Sequence, residues 1–546
     1  MVSQTDAIVI GAGINGMIAA AELAKAGWSV ALVDRGERIG GFIASGELTV
    51  PGYVHDTYSS WHPLFLTGGG YAALGADLHR HGLEYRNTDG AVTASVADDG
   101  RISIAYRDPE RTAEDLTEPA DRAEYLAMLQ ELEKQLPMVG GFLASEPISP
   151  GSLKSFAGLW RRSDREGLES VLRTTMSSGR AWARRRFAGQ EVDHLYAPWL
   201  LHAGLSPDHA MGGLMEPLLA ASLHGAGMPV AVGGAGNFLS AFEKLFDELG
   251  VRLHLGKAVD EIVVAAGKAI GVRLGEERLS ASRAVLASVT PDALYTELMP
   301  AEKVKIAELE PLRKEAARFR YGRGAMQIHV ALSAPPAWRD ERLAKVPMVH
   351  FTDGSASTGI ACAQAEAGLL PAAPTVVLGR QDVLDPSRVP KGAAALWIQL
   401  QEVPYAPVGD AAGELDTSAG WTDELAEAYA RRVLERIGKH APGLDELVLG
   451  KKIITPVDLA AANLNARHGD PYGGSCELDQ MLFWRPLPSA RAHRTPVENL
   501  WHIGASTHPG PGLGGGSGHL VATALTTPPP LKQIRDRIDN LRIARQ

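Results

Sequence analysis

The residues best placed to do chemistry lie at the two ends of the chain. Near the start, in AIVIGAGINGMIAAAELAKAGWSVALVDRG, Gly11, Gly13 and Gly16 follow one short apolar run and Asp34 closes the next. The run Ala7–Ile10 reads as a buried parallel strand. Gly11 makes a tight turn, Gly13 lets a pyrophosphate approach the backbone, and Gly16 lets helix and strand pack closely. A helix expected from about Ile14 to Ala26 begins with Ile14 and Asn15, whose end of the helix presents free amides and a positive dipole to phosphate. Asp34 follows Gly16 by 18 residues, near the spacing at which an acid takes ribose hydroxyls. Its charge disfavours a 2′-phosphate, so NADP does not suit this site. Arg35 follows it and joins the candidate set.

At the other end, NLWHIGASTHPGPGLGGGSGHLVATAL places a second glycine-rich loop before a helix, more than 480 residues away. The two segments read as parts of one FAD site. That pairing points to a flavin enzyme rather than a nicotinamide dehydrogenase. The pair Gly40–Gly41 offers a further backbone approach to the same cofactor.

Bulk properties bound the rest. A chain of 546 residues exceeds one ordinary core, so two domains are expected. The composition, 45% hydrophobic and 22% charged, is that of a soluble globular protein. A net charge of −10 argues against general nucleic-acid binding. The two cysteines, Cys362 and Cys476, form no CxxC pair, which excludes disulfide-reductase chemistry and fits a reducing compartment. The N-terminus has no basic n-region or cleavage site, and no run of 18 apolar residues occurs. A cytoplasmic protein without signal peptide or membrane span is therefore expected. No His/Cys/Asp group has ligand spacing, so no metal is expected.

The intervening elements must position the site. AVTASVADDGRISIAYR reads as a hairpin turning at Asp99–Gly100. Helix is expected over about 113–144. Residues 151–190 carry nine Lys/Arg against three Asp/Glu, interleaved with Phe156, Trp160, Trp182 and Phe187. They read either as a solvated helical face or as a peripheral membrane patch admitting an apolar substrate. The stretch from PVAVGGAGNF to AVLASVTP, residues 229–291, reads as loop, helix and four strands. Gly233, Gly234 and Gly236 have the wrong spacing for a second nucleotide site, so a separate NAD domain is rejected. AMQIHVALS and AAALWIQLQEV read as strands, and 422–439 as a helix. After Pro528–Pro530, an amphipathic tail helix is expected, docked on the body, with contact to a second copy or a membrane as the alternative.

Taken together these motifs resemble the phytoene desaturase branch of the FAD-dependent oxidoreductases, related to the flavin amine oxidases. The landmarks are the fingerprint, Gly40–Gly41, PGYVHDTYS, VGGAGNFLSAF with KAVDEI, DPSRVPKGAAALWIQL, GDPYGGSCELDQMLFWRP and HPGPGLGGGSG. The resemblance implies an α/β fold (α+β overall): a discontinuous Rossmann-type FAD-binding domain with an inserted mixed-sheet and helical substrate domain. The expected FAD-binding pieces are 1–90, 225–293 and 460–546, and the substrate pieces 91–224 and 294–459. It further implies that Val259 contacts the adenine side, that Gly504 sits by the pyrophosphate, and that Gly512, Leu513 and Gly514 lie in a loop against the flavin. The helix after that loop would face the N1–C2=O edge, where reduced flavin carries negative charge. Amine oxidases of this superfamily usually carry Arg where this chain has Phe42.

The flavin carries the redox chemistry, so hydride transfer to N5 needs no strong protein base. His55, Tyr58 and His62 lie in the loop that the resemblance places near the flavin, and His508 lies on the C-terminal loop. His62 and His508 are the first candidates for proton handling, against packing roles for all four. Cys476, in YGGSC, is a candidate for covalent flavin attachment, against non-covalent FAD. The leading activity is dehydrogenation or desaturation of a small apolar organic substrate, with O2 or a quinone as acceptor. The competing activities are an amine oxidase using O2 and an isomerase without net redox change. Arg485, in FWRP, reads as structural.

Overall fold

A parallel sheet grows around the fingerprint strand. In the computed structural model, which describes residues 3–149, 165–490 and 492–527, Ser3–Ile10 pairs in parallel with Val30–Val33 and with Glu277–Ser288. Arg252–His254 extends one edge beside Val30–Val33, and Leu500–Ile503 joins Glu277–Ser288. Ala7, Ile8 and Val9 are wholly buried, because both faces of a parallel sheet are covered and its strands must be apolar throughout. The antiparallel strands Glu261–Ala265 and Lys268–Leu274 complete seven. All five parallel strands end on the same edge, at Ile10, Val33, His254, Ser288 and Ile503.

Helices cover both faces. On one, Ile14–Lys25 packs with Gly69–Arg80, Ala235–Leu249 and Gly516–Thr526 around Phe65, Phe238, Phe242 and Phe246. On the other lie Leu294, Met299, Leu309, Leu312 and Ala316. Residues 294–316, expected with the second unit, thus share the core of the first sheet. Their apolar side chains cover a face that would otherwise leave Ile8, Ile10 and Val33 exposed.

A second, mostly antiparallel sheet of seven strands runs in the order Val448–Ile454, Gly324–Leu332, Ala394–Val403, Val376–Gly379, Met348–Phe351, Ala91–Val96, Ile102–Tyr106. Its outer face (Ile328, Val330, Leu378, Leu396, Ile398) lies under the helix Asp423–Gly438 through Leu425, Tyr429, Val433 and Ile437. Its inner face carries Gln327, His329, His350, Trp397, Gln399 and Gln401. Helical segments Pro119–Leu143, Gly179–Arg186, Glu191–Tyr196 and Gly212–Ala226 close over one end of that inner face through Tyr125, Trp182, Tyr196 and Leu223.

Several expectations change. The helix over 113–144 is two helices, Pro109–Glu114 and Pro119–Leu143. Trp182 and Phe187 are buried core residues, which removes them from any membrane-facing patch. Phe156, Trp160 and the tail after Thr527 lie outside the described residues. No helix among the described residues is long and apolar enough to cross a membrane.

The helical layer also buries one carboxyl without a partner. Glu216 is fully enclosed, neither oxygen finds a hydrogen bond among the described residues, and burial drives its pKa well above the ordinary carboxylate value. A raised folded pKa means the group favours the fold while protonated in both states. That advantage is lost as pH rises past the unfolded value, at up to about 1.4 kcal/mol per pH unit until the folded pKa is reached. Glu216→Gln is therefore expected to be more stable than the parent at pH 8–9, with the difference shrinking towards pH 5. Parallel denaturation midpoints at the two pH values check this, and a difference that does not change with pH contradicts it.

Candidate active site

The fingerprint loop is built by backbone contacts that only glycine permits. Gly11 adopts φ +91°, and a Cβ there would lie 2.9 Å from the Ser288 carbonyl. A Cβ on Gly16 would lie 1.9 Å from the carbonyl oxygen of Gly11. Gly13, by contrast, faces open space: nothing lies within 4 Å of a Cβ placed there. It caps the helix Ile14–Lys25 without a side-chain hydrogen bond, so the first amides of that helix remain available. Gly40 bridges to Gly13, and a Cβ on Gly41 would sit 3.2 Å from the Gly13 Cα.

Asp34 braces this turn. Its Oδ2 accepts the amide of Ala12 at 2.6 Å and its Oδ1 that of Gly36 at 2.7 Å. Each oxygen keeps an acceptor site for a ribose hydroxyl. The loop leading to Val259 is tied to the same corner, since Gly256 donates to the Gly36 carbonyl and Lys257 to that of Asp34. The Arg35 side chain reaches the Ala461 carbonyl.

The C-terminal segment docks on the same edge. Gly504 follows the strand Leu500–Ile503 with φ +115°, and its amide donates to Ser517 Oγ. The helix Gly516–Thr526 lies against the fingerprint helix so closely that a Cβ on Gly518 would be 2.0 Å from the Asn15 carbonyl. His519 and Glu22 pair at 2.8 Å across the same contact. Leu513 packs on the first core, while Gly512 and Gly514 run past Leu64. The structure thus brings Gly11, Gly13, Ile14, Asn15, Gly16, Asp34, Gly40, Gly41 and Gly504 to one end of a parallel sheet, where open α/β sheets bind ligands. An uncapped helix start, open space at Gly13 and a braced acid fit the pyrophosphate and ribose of FAD.

The glycines at 233–236 have no such vacancy. Gly233 donates to Asp385, Ala235 to Asp56 and Gly236 to Ser45. The amides at this helix start are satisfied by two carboxylates, which repel phosphate, and by one hydroxyl. Arg388 neutralises both acids, at 2.6 Å from Asp56 and 3.2 Å from Asp385, with all three side chains buried. This network was not read from the sequence. Its signal, Arg388 within DPSRVP, is a charge in the short turn Pro386–Arg388 that precedes the apolar strand Ala394–Val403.

The second sheet leans its inner face on this edge at two places. The Tyr58 carbonyl accepts from Gln327 and Trp397, and that of Thr57 from His329. Tyr58 packs on Phe42, one residue from Gly41. On the other side Gln401 donates to the Tyr472 hydroxyl, and Gly473 approaches Ser506 in the C-terminal loop. Between these ties stand Phe42 and Tyr58 together with Gln327, Trp397, Gln399 and Gln401 of the inner face; Gln327, Trp397 and Gln401 are buried, and Phe42, Tyr58 and Gln399 are partly accessible. The sequence carries the signal for these in the alternation of AMQIHVALS and AAALWIQLQEV, where Gln and Trp recur every second residue.

Of the four residues considered for proton transfer, three are enclosed. His62 hydrogen-bonds Tyr85 at 2.8 Å between Tyr85 and Phe238, and burial pulls its pKa down to about 4. His55 bonds Thr49 and packs on His329, and its pKa is likewise near 4. His508 bonds the Phe142 carbonyl at 3.1 Å, again with a pKa of about 4 from burial. Each of these three rings is held by a partner from the protein. Tyr58 alone of the four is partly accessible. Arg485 is fully structural, donating to the carbonyls of Tyr472, Ser475 and Ala505.

Cys476 is buried among Leu200, Leu205, Met211 and Tyr472. Its thiol faces Gly204, where an added Cβ would lie 2.8 Å from Sγ, and burial pushes its pKa up to about 11. Among the described residues no group of three His, Cys, Asp or Glu side chains is arranged for a metal ion.

A parallel sheet with a braced dinucleotide turn, roofed by a second sheet over the same edge, defines a flavoprotein oxidoreductase architecture. The signature of the flavin containing amine oxidoreductase family matches residues 14–513, and the chain belongs to that family. It is 27% identical to pyridine nucleotide-disulfide oxidoreductase domain-containing protein 2 of Rattus norvegicus, over 95% of this chain and 93% of that protein. It is 28% identical to a lycopene-forming phytoene desaturase of Pseudescherichia vulneris, over 54% of each chain. An oxidoreductase structure from Methanosarcina mazei superposes with a TM-score of 0.58 at 15% identity, over 95% of this chain and 99% of that one. The protein is an FAD-dependent oxidoreductase.

Proposed function

We propose that the protein dehydrogenates a largely apolar organic molecule held between the inner face of the second sheet and the edge formed by Gly13, Gly41 and Gly504. The observation that carries this reading is the chemistry of the side chains that stand between the two ties of the second sheet to the site edge. Phe42, Tyr58 and Trp397 offer aromatic surface, Gln327, Gln399 and Gln401 are neutral, and none of these six is charged. Bound FAD supplies a two-electron acceptor for a hydride. The chain's part is to hold the substrate carbon against that acceptor, exclude water and orient the reacting bond. The likeness to a phytoene desaturase supports an apolar substrate, and the electron acceptor is proposed to be O2 or a quinone. We assign His55, His62 and His508 to positioning the loops, and Tyr58 to substrate contact.

The test is the visible spectrum of the holoenzyme during anaerobic titration with candidate substrates. Bleaching by an unsaturated or saturated hydrocarbon skeleton, and not by primary amines, is expected. Bleaching by amines with peroxide formed in air would replace this reading by an amine oxidase.

The burial and raised pKa of Cys476 support non-covalent cofactor. Acid denaturation is expected to leave all the FAD in the supernatant, and Cys476→Ser to retain full flavin. Yellow colour in the washed precipitate, lost in that variant, would contradict this.

A further inference from the structure

Gln399 lies on Ala394–Val403, a strand paired on both sides, to Gln327 and to Val377. It is nevertheless partly accessible. A residue at such a position meets solvent only where space stands over the sheet. Along the same face, His350 pairs in register with Val377 on one side and Ser95 on the other. His350 Nε2 stands 3.0 Å from His202 Nε2, with Trp199 stacked on His202 at 4.5 Å between ring centroids. One of the two nitrogens donates to the other, so each ring keeps its Nδ1 for another partner. His350 Nδ1, Ser95 Oγ and Trp199 Nε1 are all buried without a hydrogen-bond partner among the described residues. Buried polar groups in native interiors are ordinarily paired, so each of these three atoms calls for a partner.

Burial keeps both imidazoles neutral: His202 is pulled down to about 3 and His350 well below its ordinary value. The titratable groups acting on His350 are His202 and His194, and neither supplies a formal charge. Met348, Val377 and Trp397 surround the polar atoms with apolar surface. A charged ligand group would be stripped of water here with nothing to neutralise it. A pure hydrocarbon would leave the orphan donors and acceptors unpaired.

We infer that the His202–His350 pair, with Ser95 and Trp199, binds a neutral oxygen of the substrate, a hydroxyl or a carbonyl carried on an apolar skeleton. This rests on the dehydrogenase reading above and narrows its substrate class. The pair anchors the oxygenated end and sets which carbons lie over the site edge.

Headspace gas chromatography of free ligand over the holoenzyme measures this with one ten-carbon skeleton in several forms: limonene, carveol, carvone and, in solution, perillic acid by equilibrium dialysis. Carveol and carvone are expected to bind about tenfold more tightly than limonene, as one good buried hydrogen bond allows. Perillic acid, a carboxylate, is expected to bind no better than limonene. His350→Leu and His202→Leu should each cut the tenfold preference to about twofold or less, with limonene affinity and FAD content unchanged. Equal binding of limonene and carvone by the parent protein, or no binding of any of the four, overturns the inference without recourse to a variant. Failure of the dehydrogenase reading is separate: the ligands would bind in the expected order while the flavin stays oxidised with every apolar compound.

Discussion

Gly16→Val is expected to yield a protein with less than one-tenth of the parent's FAD and a clearly lowered thermal midpoint. A side chain at this position meets the Gly11 carbonyl oxygen at 1.9 Å, and Val9 Cγ1 at 3.4 Å. The first obstacle is backbone in the turn itself, so relief requires moving the helix off the strand. Overpacking of a well-filled core typically costs about 1–3 kcal/mol. Here the same movement also takes the helix start away from the pyrophosphate. Gly13→Ala is the informative partner. Its methyl meets nothing within 4 Å, so the apoprotein should keep its stability while the methyl obstructs the approach of the cofactor. Flavin content by absorbance and apoprotein melting together separate the two. A Gly16→Val protein with full FAD and an unchanged midpoint would show that the dinucleotide lies elsewhere.

Arg388→Met should be the most destabilising single change outside the glycines, by about 3–5 kcal/mol. Arg388 is 2% exposed, between Asp56 at 1% and Asp385 at 1%. It also donates to the Ala231 carbonyl at 2.6 Å. Removing it leaves two buried carboxylates close to each other and to the start of Ala235–Leu249. Breaking a buried pair costs far more than the pair contributes as a unit, because the remaining charge stays desolvated. Denaturant unfolding followed by tryptophan fluorescence gives the change in midpoint. A loss below about 1 kcal/mol, within the range of exposed pairs, would refute the central place of this network. Asp56→Asn in the Arg388→Met background should recover part of the loss, since it removes one of the stranded charges.

The local features were readable because local physics fixes them. Gly11, Gly13, Gly16 and Asp34 stand at spacings that one strand, one turn and one helix impose. The hairpin at Asp99–Gly100 and the helix capped by Thr422 are likewise short-range. Tail-to-head assembly was legible too, from two glycine-rich loops, and the Gly518–Asn15 contact explains why a glycine is needed in that helix. The histidines read differently. His55, His62 and His508 stand in loops that run past the site edge, but whether a ring faces a cleft or a core depends on Tyr85, Phe238, His329 and Phe142. Those partners are distant in sequence, and nothing local announces them.

The residues by themselves determine a dinucleotide turn, a second glycine loop, the strand alternation and the absence of a paired-thiol redox motif. Each depends on steric freedom at a glycine or on a period of two or 3.6 residues. Only the tertiary structure decides that 294–316 joins the first core, that the amides at 233–236 are occupied by Asp56, Asp385 and Ser45, and that Cys476 is sealed against Gly204. It alone brings His202 and His350 to 3.0 Å. Burial and partner choice arise from packing between segments hundreds of residues apart, and a neutral histidine pair exists only where that packing excludes water.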